Sequence, residues 1–165
     1  VISRSLFRLL LFCSVLLAAA SPSRAEGWTA GGGGLIPEGN LSDVAENGYH
    51  VFAGYYWKFG PVEVEPAARY MWAEGEDGAA DLKIFGGEVS GRVGLFFFYV
   101  VGGLGYYKVE RTLSLENVIE IDDWDLSYSF GAGFEFGPVF VEARYQKIDT
   151  ERGSGFFPIS VGFRF

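Results

Sequence analysis

The chain has 165 residues, 13 Lys and Arg against 21 Asp and Glu for a net charge of −8, 18% aromatic residues and 24 glycines. That length suits one domain, and the acidic balance argues against nucleic acid as a partner. One cysteine and one histidine leave no internal disulfide and no His/Cys zinc cluster.

Residues 1–25 read as a leader. Arg4 and Arg8 precede an apolar run over residues 9–20, and Ser23-Arg24-Ala25 places small residues before a cleavage site after Ala25. This is the pattern of a secretory signal peptide, and the run is too short for a typical spanning helix. Cys13 lies within it, with no lipidation motif before it. Losing Arg4, Arg8 and Arg24 leaves ten cations against 21 acids, a net −11 for residues 26–165.

The remainder alternates with period two, the mark of strands. The expected strands are Trp28–Ile36, weakened by Gly31–Gly34; Tyr49–Gly60; Val62 to about Glu74; Leu82 to about Val93; Phe98 to Arg111; Asp125–Gly137; Val139 to about Thr150; and the last ten residues. Pro66 donates no ladder hydrogen bond, so a bulge or irregularity is expected there. Gly60-Pro61 and Gly137-Pro138 read as tight turns, with a third short turn within Gly94–Phe97. Residues 37–47, 75–81, 112–124 and 151–155 read as longer, mostly acidic loops, 112–124 the longest. Phe59-Gly60-Pro61-Val62 and the Arg69-Tyr70 that follows echo Phe136-Gly137-Pro138-Val139 with Arg144-Tyr145, by hairpin duplication or by convergence on one turn.

The two faces differ. One is apolar and aromatic, and carries Tyr55, Trp57, Tyr70, Trp72, Tyr128 and Tyr145, suited to membrane interfaces. The other mixes Gly and Ser with Glu63, Glu65, Arg69, Glu88, Arg92, Glu135, Glu142, Arg144 and Arg164. A charge in a narrow lumen is costly unless paired, so these nine side chains are expected to form a structural salt-bridge network. Glu65 with Arg69 and Glu142 with Arg144 share strand and face; which carboxylate meets which guanidinium stays open.

Eight strands, short turns on one rim, longer loops on the other and a last strand ending Phe163-Arg164-Phe165 resemble the small eight-stranded outer-membrane β-barrel superfamily, the OmpA/OmpX-like and opacity-type porin-family proteins. The resemblance covers residues 26–165. It implies an all-β, eight-stranded antiparallel up-and-down transmembrane barrel with short periplasmic turns and longer acidic extracellular loops. It further implies export to the bacterial outer membrane and contact with outer-membrane lipid and lipopolysaccharide. Phe163 and Phe165 become the signal read by the barrel-assembly machinery, and the protein a monomer without a cofactor. A soluble, lipocalin-like periplasmic barrel would need the same strands with the faces inverted.

For function, the residues point to a non-enzymatic barrel that supports envelope integrity or surface contact, with a narrow pore as the alternative. His50 lacks the serine and acidic neighbours in sequence that a barrel hydrolase would use, and reads as a solvated or interfacial imidazole. Gly31–Gly34 lacks the lysine and following helix of a phosphate loop. Residues 74–81 lack the spacing of a calcium loop.

Overall fold

The computed structural model describes residues 25–38, 47–75, 81–113, 118–149 and 154–165. The leader lies outside them except for Ala25, which begins the first strand and pairs with Lys58. The strands are β1 (Ala25–Glu38), β2 (Gly48–Phe59), β3 (Val62–Ala73), β4 (Asp81–Leu95), β5 (Phe98–Leu113), β6 (Val118–Phe136), β7 (Val139–Ile148) and β8 (Ser154–Arg164). Each pairs antiparallel with its neighbours in sequence, and β8 returns to β1, so the sheet is a closed barrel with eight strands. The seam is sealed at the C-terminus. Trp28 N–H donates to the Phe165 carbonyl at 2.8 Å, and Phe165 N–H donates back at 3.0 Å. No strand keeps the open backbone edge that hydrocarbon would not tolerate.

The register fixes the shape. The register leads from Trp28 to Tyr55, across to Pro66 opposite it, then through the pairs with Val89, Leu104, Tyr128, Lys147 and Gly155 back to β1 at Glu38. The circuit returns ten residues higher on the same strand, from position 28 to 38. With about 3.3 Å per residue along a strand and about 4.8 Å between strands, that stagger tilts the strands by about 40°. Each residue then climbs about 2.5 Å along the barrel axis.

The outward face is apolar. Two aromatic belts lie eight residues apart on four strands: Trp57 and Tyr49 on β2, Phe98 and Tyr106 on β5, Phe136 and Tyr128 on β6, and Phe165 and Phe157 after and within β8. All eight are exposed. Their spacing corresponds to about 20 Å of height, close to an apolar band of about 25 Å. Of the six aromatics expected at interfaces, Tyr55 and Trp57 lie in the belt near the short turns; Tyr70, Trp72, Tyr128 and Tyr145 lie toward the loops. The inverted, soluble alternative is excluded by this face, because Val51, Val89, Val100, Leu104, Phe130, Ile159 and Val161 would all meet water.

Several expectations change. Residues 112–124 are not a loop: β5 continues to Leu113 and β6 starts at Val118, leaving only residues 114–117 outside the described structure. The acidic residues conceal the β-branched Val118, Ile119 and Ile121, which carry strand propensity. The register shifts once there, between Lys108 and Glu110. Pro66 makes no bulge, only an irregularity, the other half of the expectation. The β2–β3 register is the same on both sides of it, and only the pairs opposite Tyr55 and Tyr56 drop out, while Pro66 stays in register with Val89. Pro37, Glu38, Asp81, Ser154 and Gly155 extend strands into the expected loops; residues 39–46, 76–80 and 150–153 lie outside the described residues.

Inward glycines stand opposite inward rings. Phe52 pairs with Gly31, Tyr107 with Gly86, Tyr99 with Gly133 and Phe140 with Gly162. Each ring lies over its partner's Cα, so an added Cβ would meet the Phe52 ring at 2.7 Å or the Tyr107 ring at 2.8 Å. At Gly133 and Gly162 the clash is closer still. Overpacking of this kind costs about 1–3 kcal/mol. Gly162→Ala should lower the unfolding free energy of the micelle-refolded barrel, from urea titration, by that amount. Gly34→Ala, with nothing within 4 Å of the new methyl, should leave it unchanged.

Candidate functional site

The lumen holds all nine charged residues singled out above. Eight of them are buried; Glu135 is half-buried at the short-turn rim. They come from β3, β4, β6, β7 and β8, each at an inward position of the alternation. Small partners clear the space they occupy. Arg69 pairs with Gly86, Glu88 with Gly105, Arg144 with Gly131, and Glu142 with Gly133 and Ser160.

The charges form one zigzag from the short-turn rim inward. Arg164 grips Glu63 with both terminal nitrogens, at 2.9 and 2.6 Å, and reaches Glu135 at 2.9 Å. Glu63 also faces Arg92 at 3.6 Å. Arg92 continues to Glu65 at 3.5 Å and Glu142 at 3.2 Å. Arg144 bridges Glu142 and Glu88. Arg69 meets Glu88 from the other side at 3.3 Å. Glu142 and Arg144 thus pair within their own strand; Glu65 and Arg69 do not, because Glu65 turns to Arg92 and Arg69 to Glu88.

Aromatic rings hold the guanidinium groups between carboxylates. Arg92 lies 4.6 Å from the Tyr99 ring centre and 4.8 Å from that of Phe140; Arg69 lies 4.9 Å from that of Phe52. Ring faces carry negative charge density and attract cations. Hydroxyls from Tyr107 and Ser129 donate to Glu88 at 3.5 and 3.4 Å, and Thr29 donates to Glu65 at 3.5 Å. Nothing in the sequence spacing of these rings and hydroxyls shows which charge each serves.

His50 corrects its expected placement. It is 1% exposed, inside the barrel rather than at an interface. Its Nδ1 lies 3.4 Å from Arg69 Nη1 and its Nε2 lies 3.3 Å from Ser160 Oγ. A guanidinium can only donate, so Nδ1 accepts and the ring proton of the neutral imidazole sits on Nε2, toward the serine. That is the opposite of what a general base for Ser160 requires. Both side chains are sealed from solvent. The pair extends the hydrogen-bonded zigzag and does not activate a nucleophile. Ser160 is 110 residues from His50 in sequence, so no local motif could reveal the contact.

Above the charges the lumen is apolar. Leu35, Met71, Ala73, Leu82, Ile84, Tyr107, Val109, Ile148 and Phe156 form one buried cluster toward the loop side. The expected salt-bridge network therefore fills only part of the lumen, and this apolar cluster occupies the rest. At the opposite end lies a vestibule of about 500 Å³, bordered by Lys58, Glu63, Arg92, Tyr99, Glu135 and Arg164. Among the described residues no His, Cys, Asp and Glu side chains group as a metal ion needs.

Removing one partner from a buried ion pair typically costs about 3–5 kcal/mol, because the survivors keep their burial and lose their compensation. Arg92→Met takes from Glu65 its ion-pair partner and removes one of two from Glu63 and Glu142, and should destabilise the refolded barrel by about that much in urea titration. Lys108→Met breaks a partly exposed pair with Glu110 and should cost no more than about 1 kcal/mol.

The sequence matches the outer membrane protein beta-barrel domain family over residues 7–165. Among curated proteins nothing matches it. Solved barrels share its fold. The N-terminal β-barrel domain of Pseudomonas aeruginosa OprF superposes with a TM-score of 0.64 at 14% identity, covering 86% of this chain and 98% of that one. Ail, the attachment invasion locus protein of Yersinia pestis, gives 0.59 at 15%, covering 86% and 100%. Neisserial surface protein A gives 0.58 at 13%, covering 85% and 97%.

Proposed function

The chain belongs to the outer membrane β-barrel domain family of the bacterial outer membrane, and on that premise we propose that it is a non-enzymatic barrel with a closed lumen, serving envelope integrity or surface contact. One observation carries the closure. The buried apolar cluster crosses the loop-side half of the lumen, and an ion entering it would shed its hydration for hydrocarbon. The vestibule at the other rim ends on Arg92 and Glu63, which are held by their own ion pairs. Function then resides on the outside surfaces: the lipid-facing wall, and the loops at the rim away from the short turns.

The remaining expectations fit this reading. The leader exports the chain, lipid and lipopolysaccharide surround the wall, and one copy suffices because the sheet has no free edge. Phe163 and Phe165 serve as the assembly signal, since they face outward and Phe165 lies at the seam with Trp28.

Planar-bilayer recording tests closure. The refolded protein should give no reproducible conductance steps. Steady steps whose ion selectivity shifts in Arg92→Met would replace this reading with the narrow pore. Phe165→Ala should reduce the amount of heat-modifiable barrel in outer membranes several-fold, while refolding of the same variant in micelles persists. Equal cellular levels would remove the terminal aromatic from assembly.

A further inference from the structure

Three tight turns close the short-turn rim, and they share one backbone feature. The first turn residue is left-handed in each: Gly60 at φ 63°, Phe96 at φ 60° and Gly137 at φ 59°. Glycine adopts this region freely, whereas a bulky L-residue is strained there by its Cβ. Two turns follow the rule with Gly-Pro, and the third carries Phe96-Phe97 instead. Gly at 96 would relieve the backbone.

The Phe96 ring does not pack on the protein. It is fully exposed, at 104% of its reference area. Its flanks, Leu95 and Phe98, pair across the hairpin and are also exposed. Phe97 is anchored, with its ring stacked on Phe136 at 5.3 Å between centres. Phe98 and Phe136 belong to the lower aromatic belt, so the turn prolongs the lipid-facing surface past the rim without an intervening polar residue.

We propose that the Phe96–Phe97 turn is a lipid-insertion point, seating Phe96 in the headgroup–acyl boundary of the periplasmic leaflet. An aromatic ring is well suited to that layer. The adjoining Gly-Pro turns carry no aromatic ring at the turn itself, so the aromatic anchor is local to the β4–β5 corner of the barrel. It would fix the depth and the rotation of the tilted wall at one point of the circumference. Phe96 and Phe97 also border the vestibule. A ring folded over that mouth, or one offered to a periplasmic protein, is the competing occupant.

A fluorophore on a single cysteine separates these. The full chain carrying Cys13→Ser with Phe96→Cys, and the same chain with Pro138→Cys, are labelled with an environment-sensitive dye. Both are refolded into phosphatidylcholine vesicles. Quenching by lipid-borne nitroxide near the glycerol level is compared with quenching by iodide present on both sides. The label at 96 should be quenched by nitroxide several-fold more than the label at 138, and by iodide several-fold less. Equal iodide quenching at the two sites, or a label at 96 that neither quencher reaches, overturns the proposal. Phe96→Gly, without a label, guards against mere strain effects. It should melt at the same or a higher temperature in micelles and yet insert several-fold more slowly into vesicles; insertion at the parent rate overturns the proposal as well.

Discussion

A guanidinium group inside a closed barrel has no bulk water to solvate it, and that constraint organises the rest of this molecule. Arg92 meets it with three carboxylates and two ring faces. Arg144 and Arg69 share Glu88 between them, and Arg164 closes the series on Glu63 and Glu135. Such a network is weak evidence of stability relative to an apolar filling. What it imposes is uniqueness. A slip of one residue in any strand would turn that strand's charges toward hydrocarbon, so the register and the zigzag require each other.

The outer wall answers the opposite demand. Its aromatic belts are separated by the same eight residues on β2, β5, β6 and β8, so strands that enter the rim at different points still meet the two interfaces together. Tyrosines predominate toward the loops, at Tyr49, Tyr70, Tyr106, Tyr128 and Tyr145, and phenylalanines toward the turns, at Phe59, Phe98, Phe136 and Phe165. The hydroxyl-bearing rings therefore gather at the loop-side interface, where one end of the ring is apolar and the other is wet, and the wholly apolar rings at the turn side.

Much of this was legible in the sequence because period-two alternation is local. Glu142 and Arg144 could be placed on one face of one strand by counting, as could the outward run Leu126, Tyr128 and Phe130. What could not be counted was any contact that crosses the barrel. Arg144 reaches Glu88 across 56 residues and Ser160 reaches His50 across 110, and those separations leave no trace in spacing. The far end of the β5–β6 hairpin was misread for a different reason. Acidic residues suggested a solvated loop, yet in an aqueous hairpin charge and strand structure are compatible, and Val118, Ile119 and Ile121 carry the pairing. The apolar half of the lumen was missed because charge drew attention to Glu and Arg, while Leu35, Val109, Ile148 and Phe156 occupy the same inward positions in their strands.

The ring-over-glycine pairs have a bearing on how such a barrel changes over generations. Phe140 and Gly162, or Tyr99 and Gly133, are locked by volume across the ladder, so neither member drifts alone. A lineage can exchange which strand bears the ring, or shrink the ring as the glycine grows, but only through paired steps. The lipid-facing positions carry no such obligation, since any apolar side chain of modest size satisfies a fluid neighbour. Inheritance in this fold should thus be slow and correlated inside, fast and independent outside. Barrels can then keep one architecture while their sequences part until little more than the alternation is shared.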